Sequence, residues 1–309
     1  MITRPILAVK FGNVRGGIQH TAEGDILNAP YPLICTPKID GIRAFVYDKT
    51  ATSRNGKMIP NLYIASRIGR LADGLDGEIV TYTDGIMDDF NTVQSKVMSH
   101  GGKPEFKYMV FDYVQNVNEK YVERLRQLKN LIMNTEMPEW VYYVPTKTCS
   151  TPEELEAYET QCLLDGFEGI CMRKPNSPYK GGRSTWNEFY LAALTRWVRK
   201  EAHVIDFEEM TGNENEAFEG AFGLTERSSS QAGMVGKNTL GAFWVECMES
   251  GEKFSVGGGK GMDADFRKEV WQNKIKHIGK IMTYKFKPFG MKKAPRHPQF
   301  VGWRSPNDM

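Results

Sequence analysis

Within six consecutive positions, Lys38-Ile39-Asp40-Gly41-Ile42-Arg43 offers an amine, a carboxylate, a glycine and a guanidinium. A lysine attacks phosphorus only once its proton is gone, which neighbouring cations or desolvation make easier. Arg43 can set charge beside a phosphate, and Gly41 removes a side chain where a nucleotide must come close. Such a run also recurs by chance on surface turns, so its meaning depends on its company. Four further motifs follow in order: Ser53-Arg54-Asn55-Gly56, Asp76-Gly77-Glu78, Phe111-Asp112-Tyr113 and Glu168-Gly169-Ile170.

Strands and tight turns are what must hold these groups. Residues 32–52 alternate apolar and polar and predict a strand, a turn at Asp40-Gly41 and a second strand from Arg43 to Tyr47. Ser53 to Lys57 is a turn, because Asn-Gly suits the backbone angles of a hairpin, and this sets Lys38, Arg43 and Arg54 in one neighbourhood. Further strands are expected over Leu75–Tyr82, Lys107–Val114 and Phe167–Arg173. Helical spacing marks Asp88–Met98 and Val122–Met133. Thr151-Pro152-Glu153-Glu154 starts another helix, with a threonine cap, a proline at the first position and carboxylates in the first turn, running to Leu164 before Asp165-Gly166.

Beyond about Lys200 the character changes. Short alternating segments at Ala202–Phe207, Leu240–Met248 and Ile281–Phe286, separated by glycine and polar clusters, indicate a small barrel-like all-β module. The boundary is expected near residues 197–202. From Lys274 to Arg304 the chain carries lysines and arginines, among them Lys285, Lys287, Lys292 and Lys293, with no Asp or Glu. Interleaved aromatics and the two-residue alternation of 281–287 predict a strand presenting cations on one face, suited to a polyanion's backbone.

Composition is that of an ordinary globular protein: of 309 residues, 40% are hydrophobic and 25% charged, and 40 Lys and Arg against 38 Asp and Glu leave a net charge of +2. Disordered, collagenous and coiled-coil classes are therefore excluded. Five scattered cysteines without a Cys-x-x-Cys pair argue against a disulfide framework or a structural zinc and favour a reducing compartment. The first twelve residues read as neither signal peptide nor membrane span, so the expected location is the cytoplasm.

The ordered motif series, followed by a small β module, resembles the covalent nucleotidyltransferases, and specifically the compact ATP-dependent DNA ligases of phages and bacteria. The resemblance implies an α+β architecture: a nucleotidyltransferase (adenylation) domain of antiparallel sheets and helices over residues 1–199, then an all-β OB-fold DNA-binding domain over 200–309. It also implies a three-step reaction. Lys38 attacks the α-phosphate of ATP to form a lysine-AMP phosphoramidate, AMP passes to the 5′-phosphate of a DNA nick, and the 3′-hydroxyl displaces it. Catalysis then rests on positioning and on cations, from side chains and bound magnesium.

Carried over residue by residue, the resemblance gives Arg43 the ribose or phosphate side of the nucleotide and Glu78 the ribose or a metal. Phe111 stacks on adenine, Glu168 ligates Mg2+, and Arg173 helps to orient the site. Arg54 meets the nick's 5′-phosphate, Arg183 can reach another phosphate, and Lys285, Lys287, Lys292 and Lys293 lie along nicked double-stranded DNA. The expected form is a monomer. The family also ends its active site with Lys-x-Lys on a strand; here the matching positions hold Ala193 and Thr195, so impaired chemistry is expected. Three other readings stay open: an mRNA-capping-type enzyme, an RNA-ligase type, and a non-catalytic clamp that binds nicks without sealing them.

Overall fold

The computed structural model describes residues 5–10, 14–15, 18–19, 26–219, 225–228, 230–289, 291 and 293–304. The chain divides into two compact units, Met1–Thr195 and Arg196–Met309.

The strands of the first unit that bear on the site are, in chain order, β1 (Val9–Lys10), β2 (Leu33–Pro37), β3 (Ile42–Tyr47), β4 (Thr50–Ser53), β5 (Leu75–Thr83), β6 (Glu105–Tyr113), β7 (Val141–Tyr143), β8 (Lys147–Cys149), β9 (Ile170–Arg173) and β10 (Ala192–Leu194). One sheet runs β7-β6-β5-β3-β4 and a second runs β8-β2-β9-β10-β1. All these pairings are antiparallel except β6 with β7 and β10 with β1. The expected strand, turn and strand around Lys38 are present, but β2 and β3 enter different sheets rather than pairing. Lys38 to Gly41 is the crossover between them.

The period-two pattern explains the best-defined strand. In β6, Phe106, Tyr108, Val110 and Asp112 are buried while Lys107, Met109, Phe111 and Tyr113 are half-buried on the other face. A register shift against β5 between Val110 and Asp112 marks a bulge at Phe111. Helix α3 (Tyr121–Asn134) packs on β6, burying Tyr121, Arg124, Leu125 and Leu128 at helical spacing. Two other helices match the sequence reading: α2 (Phe90–Met98), capped by Asp89, and α4 (Pro152–Leu164), where the Thr151 hydroxyl accepts from Glu154 N at 3.3 Å. Helix α1 (Leu62–Ile68) was not expected from sequence. Its cap, Asn61, accepts from Ile64 N at 3.0 Å and donates to the carbonyls of Lys96 and Gly101 at 3.2 and 2.9 Å, so distant backbone completes it.

Two local expectations are corrected. The strand expected from Phe167 begins only at Ile170, because Gly169 takes a φ of +147° and residues 168–169 bond to the crossover instead. Gly41 makes room for protein rather than nucleotide: a Cβ there would stand 2.3 Å from the Ile79 carbonyl oxygen and 2.9 Å from Glu78 Cγ. The glycine permits β3 and β5 to approach.

The second unit is a sheet ordered β13-β12-β11-β14-β15, where β11 is Val198–Asn213, β12 Met234–Cys247, β13 Lys253–Val256, β14 Ile281–Lys287 and β15 Arg296–Trp303. Backbone bonds from Phe300 N to Gly258 O (2.8 Å) and from Lys260 N to Phe300 O (3.1 Å) tie the segment after β13 to β15 and close the barrel. Phe243 is its centre, with ring centroids 5.9, 6.4, 5.8 and 5.5 Å from Phe207, Phe266, Phe300 and Trp303. The module is not purely β: α5 (Ala264–Gln272), capped by Asp263, packs on β12, and the short α6 (Lys274–His277) takes up part of the basic run. The cation alternation on β14 also breaks. Lys285 is half-buried with its Nζ 5.0 Å from the Trp197 ring centroid, whereas Lys287 is 8% exposed after a register shift against β15. Lys293 is exposed, and Lys292 lies outside the described residues.

Candidate active site

Backbone bonds set the centre of the site before any side chain does. Lys38 N donates to Gly169 O at 2.8 Å and Glu168 N donates to Lys38 O at 3.1 Å, which aligns the β2–β3 crossover with the entry to β9. The Lys38 ammonium and the Glu168 carboxylate thereby meet in an ion pair, with 26% and 7% of their side chains exposed. Around Lys38 a cavity is lined by Thr36, Ile39, Arg43, Arg54, Glu78, Phe111, Cys171, Arg173, Leu191 and Ala193, with Leu7 and Ala8 along one wall.

Three of the cations on the wall, Lys38, Arg43 and Arg173, have a built-in counterion. Arg43 grips the fully buried Asp76 with two bonds, Nε to Oδ1 at 2.5 Å and Nη2 to Oδ2 at 2.6 Å, and Tyr179 donates to the same carboxylate at 2.6 Å. Its guanidinium also lies 4.6 Å from the Phe111 ring centroid. Arg173 pairs with Asp112, which Arg124 holds from the other side at 2.8 and 3.2 Å. Arg124 is 1% exposed and its Nη1 donates to Ser177 O at 3.1 Å, so the group is a closed buried network behind the cavity. Arg54 is exposed in the turn that ends with Gly56 at φ +76°. Arg183 is exposed and outside the cavity lining, its Nη1 donating to Ala8 O at 2.7 Å.

Burial and neighbouring charge shift both Glu78 and Lys38. Burial pushes Glu78 up to about 7, with Arg43 and Lys38 pulling it down and Asp76 and Asp40 adding to the rise. Burial works against the charge on Lys38, but Glu168 above all outweighs it and holds the amine above its ordinary value. Lys38 is therefore an ammonium in this state, beside a carboxyl poised near neutrality. Because Glu78 titrates above its unfolded value of 4.5, the stability it contributes is complete below that pH and is lost as pH rises through 7. Glu78→Gln should gain on the parent chain by about 3 kcal/mol between pH 4 and pH 8, read from urea unfolding at both. A pH-independent difference would mean that the carboxyl ionises normally.

The structure thus brings Lys38, Arg43, Arg54, Glu78, Phe111 and Arg173 to one cavity with Glu168 against its lysine, and it leaves Arg183 outside; Lys285, Lys287 and Lys293 belong to the other unit. Sequence reasoning named Asp76 and Asp112 inside motifs but gave them no role, and it missed Arg124 and Tyr179. Asp112 carried a signal: a carboxylate in phase with Phe106, Tyr108 and Val110 faces the core and must find a cation there.

Comparison with known proteins agrees with this arrangement. A family model of the ATP dependent DNA ligase domain matches residues 5–189, and one of the DNA ligase OB-like domain matches residues 233–304. Two crystal structures of Chlorella virus DNA ligase-adenylate are similar. One is 30% identical, covering 98% of this chain and 100% of that one with a TM-score of 0.55; the other is 31% identical, covering 99% of each with the same score. A Lig E DNA ligase, 23% identical over 98% of this chain and 100% of its own, has a TM-score of 0.69 and shares the fold. None of the curated proteins compared matches the chain. A mixed α/β ligase domain with antiparallel sheets, followed by an OB-like module, defines the class. The chain belongs to the ATP-dependent DNA ligase family.

Proposed function

We propose that this chain seals 5′-phosphate/3′-hydroxyl nicks in duplex DNA through a lysine-AMP intermediate, acting as a monomer in the cytoplasm. The observation that carries the reading is the half-buried Lys38 amine in a cavity shared with Arg43, Glu78 and Phe111. Among the described residues no helix is long and apolar enough to cross a membrane.

In the first step a Lys38 Nζ–P bond forms, the bond from the α-phosphorus to the bridging oxygen breaks, pyrophosphate departs with one proton of the amine, and before the attack the Lys38 ammonium gives up another. Glu78, with its carboxyl near neutrality, is suited to receive that proton. Arg43 and Arg173, braced by Asp76 and Asp112, provide fixed positive charge that does not have to reorganise as charge moves across the phosphates. Phe111 offers a face to adenine, and Arg54, on its exposed turn, is free of the sheets and suited to the nick's 5′-phosphate. Lys285 and Lys293 would meet the DNA backbone.

Magnesium fits this donor set. Among the described residues no group of three or more His, Cys, Asp or Glu side chains could hold a metal, and the carboxylates that would hold it are Glu168 and Glu78. That is the sparse carboxylate set magnesium takes when phosphates and water complete its shell, where it would neutralise phosphate charge.

Ala193 lines the cavity and Thr195 is 8% exposed, so neither expected lysine position carries a cation, and sealing should be slower than in a ligase with both. Incubation with magnesium and α-labelled ATP, followed by denaturation, should leave label on the polypeptide, and a nicked duplex added next should be joined. GTP labelling in place of ATP would favour the capping-type reading. Tight binding of nicked duplex with no label from any nucleotide would establish the clamp.

A further inference from the structure

A second cavity, of about 470 Å3, opens in the first unit beside the one around Lys38, and Pro37 lines both. The two share one sheet face. Met109 on β6 is the register partner of Glu78 on β5 and of Tyr142 on β7. Residues an even number apart on a strand point the same way, so Tyr82 shares the face of Glu78 and Lys107 that of Met109. Glu78 lines the Lys38 cavity, whereas Tyr82, Lys107, Met109 and Tyr142 line the second. Helix α4 and its cap supply a further wall through Tyr158, Gln161 and Asp165. The charges here stand against aromatic rings. Lys107 Nζ is 4.9 Å from the Tyr82 ring centroid, and just beyond the lining Lys147 Nζ is 5.8 Å from that of Tyr158. Asp165, the only acid among the described lining residues, is engaged: it accepts from Gln161 Nε2 at 2.8 Å. Tyr142 is 46% exposed and brings its ring to the mouth.

We propose that this second cavity holds an unpaired nucleotide of single-stranded DNA, its base among Tyr82, Tyr142 and Tyr158 and its phosphate beside Lys107. Aromatic faces interleaved with ammoniums are what a single strand requires, since any base stacks on a ring and each phosphate takes a cation. A duplex keeps its base faces stacked on one another and has none to offer the tyrosines. The volume is that of a small-ligand site. Two ammoniums at separate rings fit successive phosphates of a strand, where a free mononucleotide has one phosphate to share between them. The binding does not depend on chemistry at Lys38. Where the strand comes from does rest on the ligase reading above: in a ligase, a flap or an unfilled end next to the nick would lie one cavity away from the reacting lysine.

The test is the fluorescence anisotropy of dye-labelled hexathymidylate titrated with the full chain over a series of salt concentrations, for the parent, Tyr142→Ala and Lys107→Ala. Tyr142→Ala should weaken binding about tenfold, the value of one base–aromatic stack, and leave the salt dependence unchanged. Lys107→Ala should weaken binding and reduce the slope of log affinity against log salt by about 0.7, the share of one phosphate contact on a single strand. Thymidine monophosphate, as competitor, should bind at least about tenfold more weakly, lacking the second phosphate. Equal affinity would make the site one for free nucleotides and overturn the strand assignment. Thermal melting of each variant checks that the fold is kept, and labelling of Lys38 from ATP should stay within about twofold in both, as for independent sites. Hexathymidylate affinity within about twofold of the parent in either variant overturns the proposal. A parent that binds the strand but takes no label from ATP overturns the ligase reading alone, whereas one that labels and binds no better than the two variants overturns this proposal alone.

Discussion

Asp112→Ala is expected to lower the stability of the first unit by about 3–5 kcal/mol, the usual cost of leaving a buried partner's charge unpaired. The carboxylate is fully buried and bonds two guanidiniums, of Arg124 and Arg173, whose side chains are 1% and 5% exposed. Removing it strands both without water to replace it. For a domain of this size the loss corresponds to a fall in melting temperature of roughly 10 °C. Arg173 lines the cavity, so labelling of Lys38 should decline in the variant even at temperatures where it remains folded. Burial alone would raise the Asp112 carboxyl, but Arg173 and Arg124 hold it below its ordinary 3.8. Its stabilisation is accordingly complete above that pH and is lost only as pH falls through the depressed value. Asp112→Ala should therefore erase part of the parent's acid-unfolding transition. A variant melting within 2 °C of the parent would show that the network contributes nothing to the fold.

That network also shows where the sequence stopped being legible. Local pattern was enough for β6, whose alternation is strict, and for α4, whose threonine cap, proline and acidic first turn are adjacent in the chain. It was enough, too, to group Lys38, Arg43 and Arg54, which a strand and a turn connect directly. Nothing local pairs Lys38 with Glu168, 130 residues away, or Arg173 with Asp112, 61 residues away; these depend on how β9 lies against β2 and β6 against the helix carrying Arg124. Helix α1 was missed for the same reason, since its cap is completed by carbonyls at 96 and 101. Gly41 was assigned to the nucleotide because its neighbours are chemical, yet the atom its Cβ would strike is the Ile79 carbonyl. Pattern singled out the candidate reacting groups, while their counterions came from tertiary contact.

Lys38→Ala should abolish label retention from ATP, a loss of at least about ten-thousandfold, because the N–P bond has no other nitrogen to form on. Alanine also deprives Glu168 of its paired ammonium, so a second variant is needed to separate chemistry from charge. Lys38→Arg supplies it: the guanidinium keeps a positive charge beside Glu168 but remains protonated at any usable pH and does not attack phosphorus. Both variants should fail to label and fail to seal a nick with ATP. The third step, displacement of AMP by the 3′-hydroxyl, neither makes nor breaks a bond to lysine. A nick supplied with AMP already on its 5′-phosphate should therefore be joined by Lys38→Arg within about tenfold of the parent, while Lys38→Ala should lag behind by the value of the missing charge. Label on either variant would place the nucleophile elsewhere. Failure of Lys38→Arg on the pre-activated nick, with an unchanged melting temperature, would mean that the amine itself is needed after AMP has left it.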